Sequence, residues 1–250
     1  MKSLGIIPAR YASTRLSGKP LAPIGNKAMV KWVYDAAVAS KLDHVVVATE
    51  SQSIIDYCLE NNMNVVMTSE NCQTGTERVV QISKMPEYAD FDIYVNIQGD
   101  EPLIQPQDIN DLLVSMEPWV KIHGQNIVGT MITKLDKEEA LERSTVKALL
   151  KKNNSQILMF TRSVIYSYDE QEIENVRKHI GIYAFTGKSL KNISKLKDKT
   201  NNEIAESLEQ LRWMDSGIKL IGEFTNTKLI SVDTWDDLDK IKRYVSRQSN

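Results

Sequence analysis

The sequence predicts an α/β fold, a mostly parallel and doubly wound sheet with an antiparallel extension in the second half of the chain. Three observations lead to this prediction. Short apolar runs alternate with amphipathic helical patterns in the first half, which is typical of a parallel sheet with helices on both faces. In the second half the apolar runs follow one another too closely for helical crossovers. Charged and polar clusters come directly after several runs, where such sheets bind ligands.

The first half contains four predicted strands separated by helices. The strands are predicted at residues 4–7, 44–48, 64–67 and 93–97. The amphipathic helices are predicted at residues 29–40, 53–60 and 77–85. Because the crossovers between parallel strands are right-handed, the carboxyl ends of the strands share one edge of the sheet. The loops after the strands are therefore the places to look for function.

The second half is less regular. Strands are predicted at residues 127–133, 146–150, 157–162 and 180–185, with a polar loop at 166–178. Helices are predicted at residues 204–213 and 236–244. Thr234 and Asp237 are spaced as a capping box for the last helix. No repeat, low-complexity tract or linker interrupts the chain, so the sequence predicts one domain over residues 1–250.

Composition limits the class of protein. The 250 residues are 42% hydrophobic and carry a formal net charge of -2, which argues against binding nucleic acid through a bulk positive field. No apolar run approaches the roughly 20 residues of a membrane span, and no secretory signal is visible, so we expect a cytoplasmic protein. Cys58 and Cys72 have neither metal-ligand spacing nor a disulfide framework, which favours reduced, buried thiols.

The loop after the first strand has the strongest local signal. Its cations, hydroxyls and glycine are Arg10, Arg15, Lys19, Ser13, Thr14 and Gly18. A triphosphate needs cations to offset its charge and hydroxyl or backbone donors to fix its oxygens. An ordinary solvated loop is the alternative that spacing leaves open. The Walker A and dinucleotide-binding patterns are both missing, which argues against a P-loop NTPase and a nicotinamide-dependent dehydrogenase.

A carboxylate follows the fourth predicted strand. Asp100 stands beside Gly99, which would let the backbone approach a ligand. Mg2+ prefers oxygen ligands and usually takes one or two carboxylates from a protein, so Asp100 is a candidate metal ligand. A simple turn is equally compatible, because Gly-Asp and Glu-Pro both favour turns.

Two stretches resemble one enzyme family. The string P-A-R-Y-A-S-T-R-L-S-G-K-P-L at residues 8–21 and the string V-N-I-Q-G-D-E-P-L at residues 95–103 are similar to the 3-deoxy-manno-octulosonate cytidylyltransferases, or CMP-Kdo synthetases. Ser17 departs from the pattern, which commonly has proline there. The resemblance covers nearly the whole chain and is weakest at residues 118–144 and 166–177.

The resemblance implies a nucleotidyltransferase fold of the glycosyltransferase-A-like type. It implies Mg2+-dependent transfer of the cytidylyl group of CTP to the anomeric hydroxyl of 3-deoxy-D-manno-octulosonate (Kdo), for lipopolysaccharide or capsule synthesis. Residues 1–125 would mainly bind CTP, and residues 126–233 would carry the sugar-acid side and the surface of a homodimer. Neither nucleic acid nor membrane is an expected partner.

The resemblance also implies site residues, each with a structural alternative. Lys19, Asp100 and Asp233 would be catalytic, and the two aspartates would hold the metal. The nucleotide would be bound by Arg10, Ser13, Arg15, Lys19, Thr76 and Arg78. The sugar acid would be bound by Gln98, Arg162, His179, Glu206 and Gln210.

The alternatives are ordinary structural roles. Asp233 and Thr76 could be helix caps, Arg78 and Arg162 surface cations, and His179 a structural histidine at a strand start. Glu206 and Gln210, four residues apart, would share one helix face and could simply contact each other.

Other functions stay open at this point. The acceptor could be a related sugar acid, such as 8-amino-Kdo or a nine-carbon acid. A nucleotide-sensing protein that has lost the chemistry is an alternative from another class. The presence of both Asp100 and Asp233 argues against it, because a protein that only binds could dispense with one of them.

Overall fold

The structure is a computed structural model that describes residues 1–12, 18–152, 154–164, 175–227 and 229–248. Its contacts divide the chain into two compact units. The first unit is Met1–Asn110 with Thr227–Asn250, and the second unit is Asp111–Asn226. The expectation of a single domain over residues 1–250 stays a prediction.

The described residues form strands and helices along the whole chain. The strands are β1 (Ser3–Pro8), β2 (Pro23–Ile24), β3 (Lys27–Ala28), β4 (His44–Thr49), β5 (Val65–Met67), β6 (Ile93–Asn96), β7 (Ile127–Thr133), β8 (Lys147–Leu150), β9 (Gln156–Thr161), β10 (Val176–Thr186) and β11 (Lys219–Phe224). The α-helices are α1 (Met29–Val38), α2 (Gln52–Glu60), α3 (Gly75–Ile82), α4 (Pro106–His123), α5 (Lys137–Leu141), α6 (Gly187–Ile193), α7 (Asn201–Glu206), α8 (Glu209–Asp215) and α9 (Trp235–Gln248). Within these described ranges, no helix has the length and apolar character needed to cross a membrane.

The first unit is built on parallel strands in the order β5-β4-β1-β6. β1 lies in the centre, with Ile6 opposite Val46 on one side and Asn96 on the other. The loops after β1, β4 and β6 therefore begin at the same edge of the sheet. This arrangement confirms the parallel, strand-helix-strand prediction for the first half.

The second unit has a mixed set of strands in the order β10-β7-β11-β9-β8. β7 and β11 are parallel, while the β10–β7, β11–β9 and β8–β9 pairs are antiparallel. β10 also pairs with β8, so each of these five strands has two neighbours within the unit. The antiparallel extension predicted for the second half is confirmed.

An apolar cluster positions the end of the chain within the first unit. Its buried residues are Ile24, Met29, Leu103, Val232, Leu238 and Ile241. They come from the segments after the first loop, from the chain after β6 and from α9 with the residues that precede it. Their packing holds residues 232–234, which include Asp233, beside the edge of the sheet where β6 ends.

Several local predictions were wrong. The continuous helix at residues 204–213 is two helices, α7 and α8, because Ser207 adopts the left-handed conformation (φ 53°) between them. Glu206 and Gln210 therefore do not share one helix face. The cap of α3 is Thr74 and not Thr76, since the Thr74 side chain accepts a hydrogen bond from the Glu77 backbone N–H. Residues 176–178, assigned to a loop, belong to β10.

The long helix α4 was not predicted at all. Pro118 lies inside it, and a proline in a helix removes one hydrogen bond and crowds the preceding turn. The helix accommodates Pro118 on its exposed side, while Leu112 and Met116 are buried. The reciprocal capping box of α9 is confirmed: the Asp237 N–H donates to Thr234 Oγ1 at 3.3 Å, and the Thr234 N–H donates to Asp237 Oδ2 at 3.1 Å.

Candidate active site

A cavity of about 230 Å3 opens in the first unit, where β1 and β6 end and α3 begins. It lies where ligands of parallel sheets collect. Its walls are formed by Pro8, Arg10, Ala12, Lys19, Pro20, Cys72, Gln73, Thr74, Gly75, Arg78, Gln98, Gly99 and Asp100. The described parts of the loop after the first strand, residues 72–75 with Arg78, and residues 98–100 therefore meet at one cavity.

Lys19 bridges the two aspartates predicted to bind metal. Its Nζ lies 2.7 Å from Asp100 Oδ2 and 3.3 Å from Asp233 Oδ1. The Lys19 side chain is only 15% exposed, so this ammonium is largely withdrawn from water. The Val232 N–H donates to the Asp100 carbonyl at 2.9 Å, which fixes the segment before Asp233 against the end of β6. The backbone itself thus sets the spacing of the two carboxylates.

The two aspartates fit a hard divalent cation. Asp100 and Asp233 supply carboxylate oxygens that converge on a single positive charge, the Lys19 ammonium. Mg2+ is commonly bound through one or two carboxylates plus substrate phosphates. Among the described residues no group of three or more His, Cys, Asp or Glu side chains is arranged to hold a metal ion. The donor set therefore suits Mg2+ held jointly with a phosphate ligand.

Arg78, predicted to contact the nucleotide, lies in the cavity wall but is 2% exposed. Its Nη2 is 2.5 Å from Glu50 Oε2, and its Nη1 donates to Thr68 Oγ1 at 2.5 Å and to the Ser69 carbonyl at 3.4 Å. Thr76 is also buried, at 3% exposed. Arg78 is consequently a fixed part of the wall rather than a surface cation.

Arg10 and Gln98 both border the cavity. The exposed Arg10 donates from Nε to the Ala12 carbonyl at 2.5 Å. At the end of β6, Asn96 is 1% exposed, and neither polar atom of its side chain has a hydrogen-bond partner among the described residues. A Cβ placed on Gly75 would lie 3.3 Å from Asn96 Nδ2, so the start of α3 packs directly on this amide.

Ser13 and Arg15, also predicted to bind the nucleotide, lie outside the described residues.

The predicted sugar-acid residues, apart from Gln98, belong to the second unit. Arg162 and Glu206 are bound to one another there: the Arg162 N–H donates to Glu206 Oε2 at 2.7 Å, and Arg162 Nε donates to the Glu206 carbonyl at 3.2 Å. Glu206 Oε1 accepts from the Thr161 hydroxyl at 2.8 Å. Burial alone would raise the pKa of Glu206, but these hydrogen bonds and the nearby Arg143 and Arg162 charges lower it below its usual value.

The Arg162 guanidinium also forms hydrogen bonds with the backbone of the segment that precedes β8. Its Nη1 donates to the Ser144 carbonyl at 2.9 Å and to the Arg143 carbonyl at 3.3 Å. Within the described ranges its Nη2 makes no hydrogen bond. Nη2 could therefore donate to a ligand oxygen without breaking a bond to a described residue. Gln210 is 3% exposed in α8.

His179 lies among aromatic rings in β10. Its ring centroid is 4.8 Å from that of Phe160 and 5.5 Å from that of Tyr183, and its Nε2 is 3.0 Å from Thr130 Oγ1. Desolvation lowers the pKa of His179 to about 3, and the positive charge of Arg162 acts in the same direction. His179 is therefore a neutral imidazole at ordinary pH, able to make hydrogen bonds without adding charge.

Comparison with known proteins decides the family. Residues 4–221 match the family described as Cytidylyltransferase. A protein of Fusobacterium nucleatum named 3-deoxy-manno-octulosonate cytidylyltransferase is 39% identical over 250 residues, covering 100% of this chain and 99% of that protein. This chain belongs to the cytidylyltransferase family.

Solved structures agree with this assignment. A structure described as CMP:2-keto-3-deoxy-manno-octonic acid synthetase complexed with CTP has a TM-score of 0.89 and 34% identity to this cytidylyltransferase, covering 99% of this chain and 100% of that one. A cytidylyltransferase from Leptospira borgpetersenii, at 19% identity and a TM-score of 0.63 over 99% of this chain and 87% of that one, shares the fold. The predicted nucleotidyltransferase-type fold is thereby confirmed.

Sequence reasoning missed three polar residues of this cytidylyltransferase, of which Lys147 and Asn96 are buried and Glu50 is partly buried. Glu50 follows β4 at the carboxyl end of the sheet, and the rule that identified Asp100 could have found it. Lys147 is 3% exposed, and its Nζ donates to the Glu142 carbonyl at 2.6 Å and to the Arg162 carbonyl at 3.2 Å. No sequence signal indicates that Asn96 lacks a hydrogen-bond partner among the residues that the structure describes.

Proposed function

We propose that this cytidylyltransferase transfers the cytidylyl group of CTP to the anomeric hydroxyl of Kdo, releasing pyrophosphate and giving CMP-Kdo. The main observation behind this proposal is that Lys19 contacts both Asp100 and Asp233 at the cavity where β1 and β6 end. The nearly full-length relatives named for this reaction support Kdo as the acceptor.

The residues of the first unit would bind and orient the nucleotide. Arg10 and Lys19 supply positive charge at the cavity, which offsets the charge of a triphosphate and of the leaving pyrophosphate. Gly75, the first residue of α3, has no side chain of its own. Helix N-termini favour anions and polar ligand groups. Most of the barrier in phosphoryl-group transfer yields to such positioning and charge neutralisation.

Asp100 and Asp233 would hold Mg2+. When bound, the ion neutralises phosphate charge and lowers the pKa of a coordinated hydroxyl. Lys19 lies within salt-bridge distance of both carboxylates, so its ammonium is placed to contact phosphate oxygens beside them. Nothing in this arrangement requires a covalent nucleophile.

The residues of the second unit would bind the sugar acid. Arg162 Nη2 makes no hydrogen bond to a described residue and would pair with the sugar carboxylate. Neutral His179, Glu206 and Gln210 would make hydrogen bonds to sugar hydroxyls. Gln98, at the cavity of the first unit, is the remaining residue assigned to the sugar acid. Because Thr161 and the Arg162 N–H already hold the Glu206 carboxylate, only its remaining lone pairs are available to the substrate.

We further infer a cytoplasmic homodimer that supplies CMP-Kdo for lipopolysaccharide or capsule synthesis. CTP is an intracellular nucleotide, so an enzyme that consumes it works inside the cell. Leu158 and Met159, 56% and 42% exposed on β9, are exposed apolar side chains that support a subunit contact in the second unit. Light scattering coupled to gel filtration, on the wild type and on Leu158→Glu, tests the dimer.

The deciding experiment is pyrophosphate release from CTP and Mg2+ with Kdo, 8-amino-Kdo and N-acetylneuraminate offered in parallel. Release with Kdo alone is the expected result. Release only with 8-amino-Kdo or N-acetylneuraminate would reassign the acceptor. CTP binding with no release from any of the three would favour a nucleotide-sensing role.

A further inference from the structure

Glu50 contacts two separate parts of the nucleotide cavity with one carboxylate. It is the first residue after β4, at the edge of the sheet where β1 also ends. Its Oε1 accepts a hydrogen bond from the Tyr11 backbone N–H at 2.9 Å, and its Oε2 lies 2.5 Å from Arg78 Nη2. The Glu50 side chain is 15% exposed and that of Arg78 is 2% exposed, so the ion pair is largely withdrawn from water.

On one side, the carboxylate determines where the Arg78 guanidinium lies. The other Arg78 partners, Thr68 Oγ1 and the Ser69 carbonyl, are neutral. A buried guanidinium requires a compensating charge, and removing one member of a buried pair is strongly unfavourable. Glu50 is the acidic partner recorded for Arg78 among the described residues, and it therefore fixes this part of the cavity wall.

On the other side, the same carboxylate holds the base of the loop after β1. Tyr11 donates its N–H to Glu50, and its carbonyl accepts the Gly18 N–H at 3.0 Å. Gly18 has φ 68°, and a Cβ built there would lie 3.5 Å from the Tyr11 ring. Lys19, the cation between the two aspartates, follows Gly18 directly. Tyr11 thus ties the beginning of the loop to its end, and Glu50 ties Tyr11 to the sheet.

We propose that Glu50 is a positioning residue of the nucleotide site, holding the described ends of the loop after β1, Tyr11 and Gly18, and holding the cavity wall through Arg78. The inference rests on the proposed function, because it assigns CTP to this cavity. Glu50 acts through its neighbours and is not itself a contact of the substrate. Its two oxygens make the position of Lys19 depend on the same side chain as the position of Arg78.

The test compares two double variants, Glu50→Gln/Arg78→Met and Glu50→Met/Arg78→Met. Neither carries an unpaired buried charge, and Gln and Met have similar volumes, but only Gln offers an oxygen to the Tyr11 N–H. CTP binding is measured by calorimetry without sugar, and amide exchange is measured at Tyr11 and Gly18. We expect CTP binding about tenfold weaker in the Met form than in the Gln form, with faster exchange at both amides.

A single variant supplements the pair if both double variants unfold. Glu50→Asp keeps the negative charge for Arg78 but is one methylene shorter, so it cannot span both contacts. We expect weaker CTP binding with an unfolding temperature close to that of the wild type. The control is Glu203→Met, which breaks the buried Glu203–Arg212 pair (3.2 Å) of the second unit. This control should lower the unfolding temperature and leave CTP binding unchanged.

Equal CTP affinities and equal amide exchange in the two double variants would overturn the inference while leaving the proposed function intact. CTP binding by the wild type distinguishes a failure of the Glu50 proposal from a failure of the proposed function. A wild type that fails to bind CTP would overturn the proposed function and this inference together.

Discussion

The Lys19 ammonium lies between two carboxylates that come from distant parts of the sequence, 2.7 Å from Asp100 and 3.3 Å from Asp233. This relationship joins the loop after the first strand to the last segment of the chain. It places a tethered positive charge where the proposed metal ligands converge. The first two predictions follow from it.

Asp100→Asn is expected to lower turnover by on the order of 100-fold or more, because it removes a negative charge from the metal-binding pair while keeping the shape of the side chain. Steady-state pyrophosphate release measures the effect, and circular dichroism reports the fold. Asp35→Asn, which disrupts the partly exposed contacts of Asp35 with Lys27 and Lys31, is the matched control. Near-wild-type turnover of Asp100→Asn at ordinary Mg2+ would refute the role of Asp100.

Lys19→Met is expected to strengthen Mn2+ binding by the substrate-free protein, because the variant removes a cation that competes for Asp100 and Asp233. We expect an increase of about tenfold, which corresponds to about 1.4 kcal/mol. Electron paramagnetic resonance of unbound Mn2+ gives the Mn2+ affinity and does not depend on catalytic turnover. Lys27→Met makes the same change in net charge beside Asp35 and should leave Mn2+ affinity unaltered. An unchanged affinity in Lys19→Met would mean that the ammonium and the metal do not share a position.

Stability should depend on pH through His179. Because its folded pKa, about 3, lies below the unfolded value of about 6.5, the unfolded chain binds the extra proton between these values. Stability is therefore lost as the pH falls from 6.5 towards 3. His179→Phe should reduce the loss between pH 6.5 and 4.5 by about 1–3 kcal/mol, measured by urea unfolding at several pH values. The exposed His123→Gln is the control, and an unchanged acid profile in His179→Phe would contradict the prediction.

Cys72 should react slowly with thiol reagents and be protected by CTP. It lies in the cavity wall, and burial raises the pKa of its thiol, with Glu77 and Glu50 adding to the shift and Arg78 opposing it. Burial raises the pKa of Cys58 to about 11. We expect Cys58 to stay unmodified in the native protein, while labelling of Cys72 accelerates as the pH rises. Mass spectrometry after labelling with and without CTP tests this, and equal labelling of Cys72 in both samples would be evidence against nucleotide in the cavity.

The sequence predicted those parts of the site that depend on regular strands and short motifs. Asp100 and Lys19 come from the segments that follow strands of one parallel sheet, so a topological rule brings them to the same edge. Arg78, on α3, was predicted from the family resemblance alone. The break at Ser207 could not be predicted, because a left-handed serine is favoured by its surroundings and not by its own propensity. The same holds for the burial of Arg78, which depends on Glu50 and Thr68 from other loops.

The Asn96 amide has no hydrogen-bond partner within the part of the chain that the structure describes, and this bears on protein engineering. A buried polar group without a hydrogen bond costs about 1–3 kcal/mol, and an apolar group of similar shape avoids that penalty. Asn96→Leu is therefore expected to raise the unfolding temperature, read by calorimetry. Because the amide packs against Gly75 beside the cavity, the same change should weaken CTP binding. A substitution at position 96 is thus expected to raise thermal stability and lower ligand affinity together. Stabilising substitutions for this protein should therefore be chosen at other positions.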